Sequence, residues 1–157
     1  MTFYDLLKQI LAPFNLIEIN QNHALPPYPF ATWQVLDDDI DEDKSILTSS
    51  IDNTDDTIDE ILAIRYEAVA QIDVYGTSFE QCSQTAKDII GKIKFVHKNT
   101  ILDNEFGIID IRGITNNSNI DTTDTKFRAT FELVYEYTET IDRIIENTNA
   151  VEFEVEG

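Results

Sequence analysis

Cysteine occurs once in this sequence, at Cys82, and histidine twice, at His23 and His97; there are only five glycines. A lone cysteine cannot close an intramolecular disulfide, and one cysteine with two histidines cannot supply a Cys/His zinc cluster, so the chain reads as cytosolic. The glycines, at 76, 91, 107, 113 and 157, are too dispersed to build a phosphate-cradling loop or a dinucleotide fingerprint, which disfavours ATP and NAD sites. No apolar run approaches the ~20 residues that span a bilayer. The opening Met1-Thr2-Phe3-Tyr4-Asp5 lacks the positive start of a signal peptide, so neither insertion nor export by that route is expected. Positive charge is scarce as well: 11 Lys and Arg face 30 Asp and Glu, a formal charge of -19 at pH 7. Nucleic-acid affinity depends on cations displacing counterions from phosphates, so a surface this acidic repels DNA in most orientations.

What is present is the material of a core. With 42% apolar and 10% aromatic residues among 157, the chain is expected to form one globular domain over 1–157. At that length a fold buries roughly 70% of its unfolded surface without staples. Phe3, Leu6, Leu7, Ile10 and Leu11 recur at helical spacing, with Thr2 and Asp5 as a cap pair and Pro13 beyond the end. Leu25-Pro26-Pro27-Tyr28-Pro29 forbids a helix and leads stiffly into a strand at Phe30–Leu36 that ends where the acidic run begins. From Asp37 to Glu60 eleven carboxylates accompany one cation, Lys44, in a pattern that fits a solvated loop or an edge hairpin.

Leu62 to Val74 then alternates. Leu62, Ile64, Tyr66, Ala68, Ala70, Ile72 and Val74 share one face; Arg65, Glu67, Gln71 and Asp73 lie on a wet one. Thr77 with Glu80 reads as a capping box for a second amphipathic helix over 78–96, whose apolar face is Phe79, Cys82, Ala86, Ile89, Ile90, Ile93 and Val96. Strands follow at 106–114 and 126–138, the latter with Phe127, Ala129, Phe131, Leu133, Tyr135 and Tyr137 on one side, and a short strand at 150–156. The expected class is α+β: a mostly antiparallel sheet, with a mixed one left open, carrying two amphipathic helices on one face. A thirteen-residue strand at about 3.3 Å per residue runs about 43 Å, whereas a 157-residue domain is roughly 40 Å across. Such a strand spans or overhangs its domain, and an exposed edge or apolar face of that kind is usually covered by a partner, so self-assembly is expected.

Residues that invite a chemical reading weigh little against plain structural ones. Asp37, Asp39 and Asp41 occupy the first three ligand positions of a calcium loop, but the sixth and twelfth positions are Glu42 and Thr48, where glycine and a bidentate glutamate are required. Asp37, Asp38, Asp39, Asp41, Glu42 and Asp43 therefore read as a solvated acidic segment, and neither a metal nor any other cofactor is expected. Among thirty carboxylates some pair always looks fit for acid and base work, which makes pairing uninformative. Cys82 on an apolar helix face is a small buried hydrophobe. Lys126, Phe127 and Arg128 resemble a stacking site for single strands, yet they alternate in a strand within a negative surround. No catalytic residue is assigned.

The proline-rich Leu25–Thr32, the acidic variable loop, the long strand ending in Asp73-Val74-Tyr75-Gly76 and the helix opened by Phe79-Glu80 together resemble the neck or tail terminator proteins of tailed bacteriophages. The later strand with Phe131-Glu132 and Tyr135, and the acidic β-like C-terminus, are similar too. The resemblance covers roughly residues 3–155. It implies a non-enzymatic virion protein, assembled in the host cytoplasm, whose copies form a ring, typically a hexamer, at the head-proximal end of the tail. Such a ring ends tail-tube polymerisation and joins tail to neck, connector or sheath while DNA passes through without tight binding. For ring contacts the candidates are Arg65, Glu67, Val69, Gln71, Arg128 and Glu132 on the strands at 62–75 and 127–137. Val151, Phe153 and Val155 are candidates for adding to a neighbouring sheet. The acidic segment would line the channel or face a partner. Two rival readings are an acidic DNA mimic that sequesters a basic partner and a small hydrolase or nuclease with an acidic metal site.

Overall fold

The computed structural model describes residues 1–19, 24–39, 47–120 and 125–146. Thr2 starts the first helix, α1 (Phe3–Ile10): its hydroxyl accepts from the Asp5 amide while the Asp5 carboxylate accepts from the Thr2 amide, both at 3.1 Å. This is the reciprocal capping box expected from the sequence, and it satisfies two donors that a helix start leaves without partners. Pro13 sits in a short 3-10 turn, Ala12–Phe14, and Asn15 then adopts a left-handed conformation (φ 51°), which Asn tolerates better than most residues. Seven strands follow in chain order: β1 (Leu16–Glu18), β2 (Phe30–Asp39), β3 (Leu47–Asp52), β4 (Thr57–Gly76), β5 (Phe106–Asn116), β6 (Asn119–Ile120) and β7 (Thr125–Glu146). Helices α2 (Phe79–Gly91) and α3 (Lys98–Asp103) lie between β4 and β5 in the chain, joined by a π turn, Lys92–Val96.

The sheet is open and mixed. Its strand order is β1-β2-β4-β7-β5, with β3 on β4 and β6 on β7. β1 pairs parallel to β2, while β2 with β4, β3 with β4 and β5 with β7 are antiparallel. Strands β4 and β7 have 20 and 22 residues, longer than the thirteen read from alternation in each case.

Two compact units divide the chain. The first comprises Met1–Asp39 and Glu67–Tyr137. Its core joins Phe3, Leu6, Leu7 and Leu11 from the N-terminal segment with Cys82, Ala86 and Ile89 of α2, and these meet Trp33, Ala70, Ile72, Val74, Ala129, Phe131 and Leu133 of the sheet. The face that alternation marks as apolar in β4 is buried at Ala68, Ala70, Ile72 and Val74. The second unit comprises Ile40–Tyr66 and Thr138–Gly157. In it β3 pairs with the first part of β4 from Leu47↔Ala63 to Asp52↔Ile58. The turn between them is closed by the Asn53 amide on the Thr57 carbonyl (2.8 Å) and by Asp55, which accepts from the Thr57 amide and hydroxyl. Arg143 forms an exposed ion pair with Glu60 at 2.7 Å, a contact worth little in water.

Four expectations need correction. β2 does not stop at Leu36: it continues through Asp37 and Asp38 to Asp39, because β4 offers it a partner along that length. A bulge at Leu36 shifts the register, so that Asp37 faces Val69 and Asp38 faces Ala68. The helix cap lies one residue later than the Thr77/Glu80 box. Ser78 accepts from the Gln81 amide, and the Gln81 side chain accepts from the amide and hydroxyl of Thr77. Gly76 leaves room for that side chain, since a Cβ there would lie 2.6 Å from Gln81 Oε1. The second helix ends at Gly91 instead of 96. In the π turn His97 donates to Lys92, five residues back, and this underwinding carries Val96 out to solvent, while Ile93 stays buried. Finally, α3 is a third helix that the sequence reading did not anticipate, anchored by buried Ile101.

Candidate assembly surface

The sheet face of the first unit opposite the buried row Ala68, Ala70, Ile72 and Val74 gathers most of the side chains proposed for contacts. Register places Phe30, Thr32 and Gln34 of β2 beside Tyr75, Asp73 and Gln71 of β4. On β7, alternation puts Arg128, Thr130 and Glu132 on the side opposite buried Ala129, Phe131 and Leu133. Glu67, Val69, Gln71, Arg128 and Glu132 therefore share one face of this unit. Arg65 is exposed and belongs to the second unit. Val151, Phe153 and Val155, with Asp41, Glu42 and Asp43, lie outside the described residues.

This face is drier than alternation implies. Asp73 is buried, accepting from the Thr130 hydroxyl at 2.5 Å and from the Gln71 amide at 3.0 and 3.1 Å. Thr32, its partner across the β2–β4 pair, is buried as well. A carboxylate tolerates burial only with such donors around it, and they come from two strands far apart in sequence. At one end of the face Tyr28, Phe30 and Tyr75 stack in sequence, with ring centroids 5.6 and 5.0 Å apart. They help line a cavity of about 420 Å³ with Leu25, Lys126 and Arg128. The Arg128 Nε–H is buried and finds no acceptor among the described residues, while its backbone is pinned by Ser118 and Asn117. At the other end Glu132 pairs with Arg112 at 2.6 Å across the β5–β7 ladder.

Asp38 is placed on the opposite, core-bearing side by the bulge at Leu36, where it accepts from the Tyr137 hydroxyl at 2.6 Å. Burial, with the Asp38 carboxylate second, raises Tyr135 from the usual 10.0 to about 12. A folded-state value above the unfolded one means that the neutral phenol supports the fold fully below pH 10, and that this support is lost as pH rises through 12. The expected result is an alkaline loss of stability in that window that Tyr135→Phe flattens, measured by circular dichroism alongside tyrosinate absorbance; an unchanged profile in the variant would assign the loss elsewhere.

Cys82 is buried among helix and sheet side chains, and burial pushes its thiol up, away from the reactive thiolate. His97 stands at the N-cap position of α3 without a side-chain capping hydrogen bond, and His23 lies outside the described residues. Among the described residues no three His, Cys, Asp or Glu converge as metal ligands, and no helix is long and apolar enough to cross a membrane. The residues missed by sequence reasoning are Tyr28, Phe30 and Tyr75. Their signal was their aromatic character, but only the β2–β4 register brings them together.

A sheet face with a partly buried polar row, a stacked aromatic end and a buried Arg128 Nε–H without an acceptor among the described residues has the chemistry of a surface that contacts another polypeptide. No curated protein matches the chain. The family described as phage neck terminator protein matches residues 1–157, its entire length, so the chain belongs to the phage neck terminator protein family and is a structural component of the phage neck.

Proposed function

We propose that copies of this chain close into a ring, six in number, at the head-proximal end of the tail, where the ring ends tube polymerisation and joins tail to neck, connector or sheath. Residues 1–157 act as one functional domain in this role. The carrying observation is the family match over the whole chain. The fold supports the reading in two ways. Its sheet is open, with β5 at one end of the strand order, and strands of 20 and 22 residues offer length for pairing with a neighbour. We read α1 and α2 as packing on the face that Ala68, Ala70, Ile72 and Val74 share, which leaves the Glu67, Val69, Gln71, Arg128 and Glu132 face for contacts. A formal charge of -19 favours a channel wall along which DNA slides without adhering, with Asp37 and its neighbours lining it or facing a partner.

Electron cryo-microscopy of intact particles tests this directly. The expected result is a ring of this polypeptide between tail tube and connector, and its absence from the particle would overturn the proposal. A second measurement concerns Val151, Phe153 and Val155: deleting 147–157 is expected to leave a folded protomer and lower the assembled mass, whereas an unchanged mass would remove these residues from the interface.

A further inference from the structure

The α2–α3 turn stands apart from the rest of the chain in charge. Residues 89–102 hold Lys92, Lys94, Lys98 and His97 and no acid, so this stretch contributes +3 while the remainder carries -22 of the formal -19. The same stretch exposes Phe95 (85%), Val96 (56%) and Leu102 (53%). Single apolar residues on a surface are ordinary, but three within eight positions, interleaved with three lysines on an acidic protein, form a patch of defined chemistry. The patch is held from beneath. Ile93 and Ile101 are fully buried on either side of it, and the His97 amide on the Lys92 carbonyl (2.8 Å) fixes the π turn that aims Phe95 and Val96 outward. No ion pair among the described residues engages Lys92, Lys94 or Lys98.

The second unit presents the complement. At the β3–β4 turn Asp52, Asp55 and Asp56 are exposed beside Ile51, itself exposed, and the backbone there is fixed by the Asn53 and Asp55 hydrogen bonds to Thr57. We infer that the Lys92–Leu102 patch of one copy docks the acidic β3–β4 turn of a second copy, lysines on aspartates and Phe95 against Ile51. Asp110 and Glu136 line the recess beside Lys94 and Lys98, so the lysines that project from the turn, and not the whole neighbourhood, carry the positive sign; a two-fold pairing would set those lysines against one another, whereas joining them to a different, acidic surface is a head-to-tail contact of the kind that closes rings. The inference rests on the ring reading above and supplies the two surfaces that a ring needs. Duplex DNA would also be drawn to lysines, but the surrounding charge of -22 opposes it.

The test uses the full chain. Equal amounts of isotopically labelled and unlabelled protein are cross-linked with a carbodiimide, which joins lysine to carboxylate at zero length, and linked peptides are mapped. Expected are mixed-isotope links from Lys94 or Lys98 to Asp52, Asp55 or Asp56, lost at high salt. K94E/K98E is expected to weaken self-association roughly ten-fold, the loss of a few close charge pairs, and D55K/D56K in the same chain to restore it. Links confined to single chains, links to other acids, or preferential cross-linking of the patch to added duplex DNA would overturn the inference. So would K94E/K98E assembling like the wild type, an outcome that leaves the ring standing. A wild type that neither cross-links between copies nor occupies a ring in the particle fails both readings together.

Discussion

Replacing Phe131 with alanine is expected to destabilise the fold by about 3–5 kcal/mol, the range for truncating a fully buried aromatic side chain. Phe131 is 1% exposed, at the middle of the core-facing row Ala129, Phe131, Leu133 and Tyr135, and it sits in the cluster shared with α1 and α2. Most of the loss is apolar surface returned to water. The rest is a cavity that strands hydrogen-bonded on both sides cannot close, since β7 lies between β4 and β5. For a protein of this size the melting temperature should fall by roughly 6–20 °C, and the urea midpoint should drop with an unchanged slope. Because whole domains are stable by only about 5–15 kcal/mol, this one change removes a large share of the total. A loss below about 1 kcal/mol would mean that the sheet relaxes into the space.

The second large effect is polar. Asp73→Ala is expected to cost about 2–4 kcal/mol, because it removes charge-assisted hydrogen bonds and leaves the Thr130 hydroxyl buried without its acceptor. Asp73 is 3% exposed, and Thr130 and Gln71 are its donors. Asp73→Asn retains one acceptor oxygen for Thr130 but turns an amide toward the Gln71 amide, so its cost should be smaller than that of alanine. The double change Asp73→Ala with Thr130→Val removes both partners and should recover part of the loss, read as a non-additive cycle in denaturant melts. Additivity of the two single changes would show that the contact across β4 and β7 contributes nothing specific.

Where a local period exists, the residues alone were enough. The α1 cap and stripe, the apolar faces of β4 and β7, and the buried row Cys82, Ala86 and Ile89 of α2 follow from spacings of 3.6 and 2. The charge argument also needed no coordinates, and the family was visible in the proline lead-in, the strand ending Asp73-Val74-Tyr75-Gly76 and the Phe79-Glu80 helix start. The misses occur where a distant segment overrides a local pattern. Asp73 alternates with apolar neighbours as a solvent-facing residue does, yet Thr130, 57 positions away, makes its burial tolerable. Asp37 to Asp39 look like loop, but β4 supplies the hydrogen bonds that extend β2 through them.

Composition and periodicity therefore settled how acidic the chain is and where its longest elements turn their apolar faces, and the quoted motifs carried the resemblance to the family, because those properties belong to residues close together in sequence. Strand register, the bulge that turns Asp38 toward Tyr137, the stack of Tyr28, Phe30 and Tyr75 and the outward aim of Phe95 came from the folded chain. Each depends on pairing or winding whose energy is shared between segments with no common local signal, so no single stretch of sequence encodes it.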